Sequence, residues 1–264
     1  MLQIQNLYKV FNKNTVNENT IFNQFNLDVS QGDFITIIGS NGAGKSTLLN
    51  LISGTLKPDN GSIVLNGEDM DKLPEHICTK KMGRVFQDPS MGTAPSMTIL
   101  ENMSMAFNKG KKFGLSFGIN KSKIPYFKEL LSSIGLGLED KLYTKVGLLS
   151  GGQRQSLALL MTVMSKPQLL LLDEHTAALD PKTSERINKL TETIVNKEKI
   201  TTLMITHNLN HAINMGNRLI MLHHGQCVLD ISGEEKKKLT IEKLLEKFDT
   251  IKGEDLISDR ALFS

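Results

Sequence analysis

One stretch, GSNGAGKST (39–47), constrains this chain more than any other feature. It fits G-x-x-x-x-G-K-[ST] and stands between an apolar run of strand length, FITII (34–38), and a helix-like segment, STLLNLIS, that Gly54 closes. A glycine-rich turn there lets the backbone N–H groups of Gly42, Gly44 and Lys45 point inward at phosphate oxygens, while the positive end of the next helix adds its field. Lys45 then reaches the β- and γ-phosphates of a nucleoside triphosphate, and Ser46 sets its hydroxyl on Mg²⁺. The nucleotide-binding set is the whole loop: Gly39, Ser40, Asn41, Gly42, Ala43, Gly44, Lys45, Ser46 and Thr47. The competing reading, a glycine turn that happens to precede a helix, is disfavoured by the strand before it and the helix after it.

The chain has 264 residues, enough to bury a substantial core. Its formal net charge of +3 is too small at this size to argue for nucleic-acid binding. Cys78 and Cys227 are far apart without metal-like spacing, so both are expected as free thiols in a reducing compartment. The start, MLQIQNLYKVFNK, lacks a signal-peptide core, and no stretch approaches the roughly 18 apolar residues of a membrane span. The expected location is cytoplasmic, with any membrane association arising through a partner.

FITII, QLLLL (168–172) and TTLMI (201–205) alternate with helix-period segments, which predicts a parallel sheet covered by helices. In NGSIVLNGEDM, Asn60-Gly61 and Asn66-Gly67 predict antiparallel hairpins attached to that sheet, and NRLIMLHHGQCVLDIS repeats the idea. Residues 91–145 are predicted as a helical insertion, methionine-rich at MTILENMSMAF, loop-like and basic at NKGKKFGLSFGINKSK, then helical again at YFKELLSSIGL. The last segment, from residue 233, is expected as a short solvated helix and tail, with Lys236 to Lys238 on a wet face.

The second half of the chemistry lies in QLLLLDEHTAALD (168–180), a buried-type strand that ends in Asp173 and Glu174. An acidic pair at a strand end is commonly only a turn or helix cap. Beside a phosphate-binding loop, Asp173 can hold Mg²⁺ through its water shell and Glu174 can polarise the water that attacks the γ-phosphate. Gln87, in RVFQDP, ends another apolar run, where its amide can reach the metal or the water or simply be solvated. His207 follows TTLMI and Thr206, placed to contact the γ-phosphate or else as a capping or surface residue. In LLSGGQRQSLALL (148–160), Ser150 is a natural N-cap, and Leu157, Leu160, Met161 and Met164 form an apolar stripe. The helix start at Ser150, Gly151 and Gly152 is a second potential anion site.

The set GSNGAGKST, FQDP, LLSGGQRQ, LLLLDEHTAALD and ITH, in that order, resembles the nucleotide-binding subunit of ATP-binding-cassette (ABC) transporters over about residues 2–232. The resemblance implies an α/β P-loop NTPase of the ABC ATPase fold: a mostly parallel sheet core, an antiparallel β subdomain and an inserted helical subdomain over about 91–165. The ATPase domain spans 1–232, and 233–264 is a C-terminal helix and tail. It implies ATP and Mg²⁺ as ligands, with Lys45, Gln87, Glu174 and His207 catalytic and Ser46, Gln87 and Asp173 on the metal. It further implies two copies head to tail, each nucleotide lying between the P-loop of one and Ser150, Gly151, Gly152 and Gln153 of the other, with Asp180 at the same interface. Phe11 matches the aromatic that stacks on adenine, usually a tyrosine; Tyr8 is the weaker candidate.

Two departures stand out: His175 where proline is usual, read as continuing the turn, and Ala177 where serine is common. A narrower likeness is to a bacterial branch whose ATPase works with a separate permease and an extracellular solute-binding protein, some members being associated with amino-acid uptake. The expected function is therefore an ATPase that drives a solute importer from the cytoplasmic face of the membrane, peripheral through the permease. The alternative is a soluble ABC ATPase such as an iron-sulfur cluster assembly scaffold. Retention of Lys45, Ser46, Asp173, Glu174 and His207 argues against a cassette that only binds.

Overall fold

A computed structural model describes residues 1–111, 118–119 and 121–252, with side chains to residue 247. Part of the basic stretch NKGKKFGLSFGINKSK and the tail beyond 252 lie outside the described residues. In chain order the strands are β1 (Leu2–Phe11), β2 (Asn19–Val29), β3 (Phe34–Ile38), β4 (Asn60–Leu65), β5 (Glu68–Asp69), β6 (Met82–Val85), β7 (Leu169–Asp173), β8 (Thr201–Ile205), β9 (Arg218–His223) and β10 (Gln226–Ser232). The helices are α1 (Lys45–Ile52), α2 (Glu75–Lys81), α3 (Ile99–Phe107), α4 (Ile124–Ser133), α5 (Gly151–Met164), α6 (Pro181–Glu198), α7 (Leu209–Asn214), α8 (Gly233–Lys237) and α9 (Ile241–Lys252). Two compact units result: residues 1–79 with the chain from Lys199 onward, and residues 80–198.

In the first unit β3 pairs in parallel with β8 and β9, and β9 pairs antiparallel with β10. Every residue of β3 and β8 is buried, as expected of strands covered on both faces. A second, antiparallel sheet runs β2-β1-β4-β5. β1 starts in strict alternation, with Leu2 and Ile4 buried and Gln3 and Gln5 exposed, so one face of this sheet carries the core.

The hairpin β4–β5 turns at Asn66-Gly67, both at positive φ (51° and 83°), the turn whose twist suits a two-residue hairpin. It joins the antiparallel sheet and not the β3 sheet. The reason is register: Leu65 and Ile63 oppose Leu2 and Ile4, so their buried faces coincide. Asn60-Gly61, expected as a turn, instead opens β4. A Cβ at Gly61 (φ 90°) would overlap the Asn6 carbonyl, so this glycine serves close backbone approach at an irregularity of the β1–β4 ladder. The β9–β10 hairpin forms as expected, with His224 and Gly225 at φ 43° and 71°.

The second unit combines the parallel pair β6–β7 with helices. Ile99, Leu100 and Met103 of α3, Phe127 and Leu131 of α4, and Leu157, Leu160 and Met161 of α5 meet in one apolar cluster. Helix α5 is enclosed more widely than a stripe, since Ala158, Leu159 and Val163 are buried as well. α3 starts at a capping box of Thr98 and Glu101.

The carboxyl-terminal segment departs from the solvated helix expected of it. It forms α8 and α9, and Leu239 and Leu244 join Ile38, Leu219 and Met221 in the core of the first unit. Lys236 is 3% exposed, while Lys237 and Lys238 are exposed. The Lys236 ammonium donates to the Met215 carbonyl, to the carbonyls of Gly216 and Arg218 at 3.3 Å and to the Thr36 hydroxyl at 3.3 Å. Burying the two leucines draws this lysine inward, and the carbonyls where β9 begins satisfy its charge. Replacing Lys236 by Met strands those acceptors, so Lys236→Met is expected to lower the unfolding free energy by about 2 kcal/mol in a urea titration. The same change at exposed Lys237, which pairs with Glu234 on the surface, should cost less than about 1 kcal/mol.

Candidate functional site

In the first unit the phosphate-binding loop leaves β3 at Gly39 (φ 150°), where a Cβ would overlap the Leu222 carbonyl. Gly42 turns at φ 81° with open space beside it. Gly44 is the N-cap of α1 at φ 99°, where a Cβ would stand 2.9 Å from Phe22 Cζ. The Ala43 amide donates back to Ser40, and Ala43 accepts from the Gly225 amide at 3.1 Å, so the β9–β10 turn braces the loop. Lys45 is 6% exposed, and its ammonium bridges the Gly39 and Ser40 carbonyls at 2.6 and 2.9 Å.

Helix α1 has no side-chain cap and no acidic residue in its first turn. Its leading amides have no intrahelical acceptor, and the helix dipole gives that end a partial positive charge. Ser46 and Asn41 are exposed beside it, with Thr47 half-buried. This uncapped, glycine-lined end fits a polyphosphate.

His207 leaves the carboxyl end of β8. There the Thr206 amide donates to Ile37 on β3, so in this unit the histidine and the start of the loop sit at neighbouring strand ends. The cap of α7 is Asn208, whose side chain accepts from the His211 amide, so the alternative of His207 as cap is not realised. Phe11 is half-buried at the end of β1, with the Lys9 ammonium 5.5 Å from its ring centroid.

In the second unit Gln87, Asp173 and Glu174 lie at or just beyond the ends of β6 and β7. Gln87 is exposed just beyond β6, after Phe86, whose carbonyl accepts from buried Gln155 at 3.1 Å. Asp173 ends β7, half-buried, and its Oδ2 accepts from the Arg84 guanidinium at 2.7 Å. Glu174 is held at φ 47°, a conformation uncommon for this residue type, in a turn closed by the Ala177 amide. His175 is buried, with Nε2 3.3 Å from the Thr191 hydroxyl, which itself donates to the Ile187 carbonyl. His175 thus does more than continue the turn: it ties the residue after Glu174 to α6. Asp180 accepts from the Thr183 amide at 3.1 Å at the start of α6, and hydrogen bonds from the Thr183 side chain and backbone hold its carboxyl below the usual range.

At α5, Ser150 and Gln153 form a reciprocal capping box, at 3.3 and 3.2 Å. The Gly151 and Gly152 amides open the first turn, where no intrahelical acceptor is available. Gly152 has a second constraint, because a Cβ would overlap Thr183 of α6. Sequence reasoning missed Arg84 and Thr191. Arg84 lies only three residues before Gln87, but its pairing with Asp173 depends on strand register, which no local pattern states. Among the described residues no group of three or more His, Cys, Asp or Glu side chains is arranged to hold a metal ion.

Residues 22–177 match the ABC transporter family model. The chain is 53% identical over 249 residues to a tyrosine transport ATP-binding protein of Clostridioides difficile, covering 94% of this chain and 99% of the relative. It is 36% identical over 228 residues to a spermidine/putrescine import ATP-binding protein of Mannheimia succiniciproducens, covering 84% of this chain and 57% of that longer protein. Among solved structures, a dimeric ATP-binding cassette in a post-hydrolysis state bound to ADP and phosphate is similar at TM-score 0.75 and 29% identity, over 88% of this chain and 98% of that one. A nucleotide-free cassette is similar at TM-score 0.74 and 26% identity, over 94% and 98%. The chain therefore belongs to the ABC transporter family, as an ATP-binding, ATP-hydrolysing subunit with the ABC ATPase fold.

Proposed function

We propose that this subunit drives uptake of an amino acid, with an aromatic one as the leading candidate, through a separately encoded membrane permease. One observation carries the reading: the match to a tyrosine transport ATP-binding protein runs over nearly the full length of both chains. The named relatives are transport and import ATP-binding proteins, which favours transport over a soluble iron-sulfur assembly role. The subunit acts on the cytoplasmic face of the membrane, held there by the permease, and an extracellular solute-binding protein delivers the amino acid.

Two copies act together. In each, the amides of Gly42, Gly44 and Lys45 and the Lys45 ammonium bind the β- and γ-phosphates of ATP, while Phe11 stacks on adenine. Ser46 and Gln87, with Asp173 through water, would hold Mg²⁺, which would supply positive charge to offset that of the phosphates. Glu174 takes a proton from the attacking water as the new bond to the γ-phosphorus forms and the bond to ADP breaks, giving ADP and phosphate. His207 and Gln87 sense the γ-phosphate. Ser150, Gly151, Gly152 and Gln153 of the second copy close over the same phosphate, with Asp180 at that interface. Loss of the γ-phosphate removes the contact that held the copies together, and the permease reads the reopening.

Glu174→Gln is expected to keep ATP affinity within about two-fold, to slow hydrolysis by about 100-fold or more, and to elute as a dimer with Mg-ATP in size-exclusion chromatography. Hydrolysis at the native rate would remove Glu174 as the base, and a monomer under saturating Mg-ATP would remove the shared-nucleotide arrangement. For the cargo, the complex copurified from membranes and reconstituted in vesicles should show ATPase stimulated by tyrosine or a chemically close amino acid; stimulation by spermidine instead would overturn the assignment.

A further inference from the structure

The Arg84–Asp173 pair is not accounted for by the reaction as proposed above. Arg84 lies opposite Leu171 in the β6–β7 ladder, and Asp173 is two residues further along β7, so the pleat puts both side chains on one face of the pair. Their contact is 2.7 Å, with the side chains only 15% and 14% exposed. The guanidinium is also backed by the Phe86 ring, at 4.7 Å from Arg84 Cζ to the ring centroid. The arginine is therefore held in place from two directions.

As a stabilising device such a pair is weak, since desolvation of both charges offsets most of their attraction. Its effect on charge is larger. Asp173 and Glu174 put two adjacent carboxylates at the end of β7, and a triphosphate brings several more negative charges. We propose that Arg84 is a positioning residue that fixes the Asp173 carboxylate and balances its charge, so that nucleotide without its cation is still accepted. This rests on the reading that Asp173 serves the metal of Mg-ATP. When the cation accompanies the nucleotide it supplies the balance itself, so Arg84 matters more to metal-free than to metal-bound nucleotide.

The test is binding rather than turnover. Affinity for adenylyl imidodiphosphate, which is not hydrolysed, is measured by equilibrium dialysis on the full chain in EDTA and in excess Mg²⁺, and the ratio of the two Kd values is the readout. Arg84→Met and Arg84→Gln should weaken binding in EDTA and raise the EDTA-to-Mg²⁺ ratio about five-fold, while Arg84→Lys, which keeps the charge, should leave it within about two-fold. Asp173→Asn should lower the ratio, because the metal loses its carboxylate while one negative charge fewer opposes the metal-free nucleotide. Equal weakening in both conditions marks Arg84 as merely structural and overturns the proposal, as does an unchanged ratio in both neutral variants while Asp173→Asn lowers it. An unchanged ratio in Asp173→Asn sinks the reading of Asp173 itself. Cooperative thermal unfolding of each variant shows that the fold is kept.

Discussion

The site depends first on a backbone shape. Gly39, Gly42 and Gly44 hold φ values of 150°, 81° and 99°, which side chains with a Cβ rarely adopt, and two of the three are also hemmed in by neighbours. That shape brings the chain out of a fully buried strand and into a helix whose first turn is left without a cap. The leading amides of α1 and the positive end of its dipole then lie at the loop, whose Gly39 and Ser40 carbonyls hold the Lys45 ammonium. The β9–β10 turn braces the loop through the bond from the Gly225 amide to the Ala43 carbonyl, a contact between segments distant in sequence.

The second unit applies the same economy to strand ends. β7 buries Leu169 to Leu172 and leaves its last residue, Asp173, half-buried and paired with Arg84. Beyond it the chain bends sharply at Glu174 and is then anchored by His175 to α6. A proline at 175 would shape the same turn by fixing φ, but without a hydrogen bond to the helix. Histidine gives the turn a tether, so strain at Glu174 is supported by burial and by the Thr191 hydroxyl.

Much of this was legible in residue order. The loop and its flanking strand and helix, the helix beginning at Ser150, the buried β7 and β8, and the Asn66-Gly67 turn all follow from local patterns whose physics is complete within a few residues. What escaped depends on contacts made across the sequence. Gly61 looks like a turn residue but is required by the approach of Asn6; Lys236 looks like part of a solvated run but is drawn in by Leu239 and Leu244. Arg84 and Thr191 gain their meaning only from register and helix placement, which composition and periodicity do not encode.

The capping box at α5 has a chemical corollary. Aspartate or asparagine caps a helix as well as serine does, by accepting from the third amide. Ser150 accepts that bond from Gln153 and still carries a hydroxyl proton, so one oxygen can close the helix and offer a donor outward at the same time. An aspartate there would turn a welcoming tip into a repelling one, and an asparagine would commit its oxygen to the helix while aiming its donors from a different atom. The choice of a hydroxyl is thus a choice of polarity: the tip is self-supporting and keeps a donor that neither an aspartate nor an asparagine would supply from the capping atom.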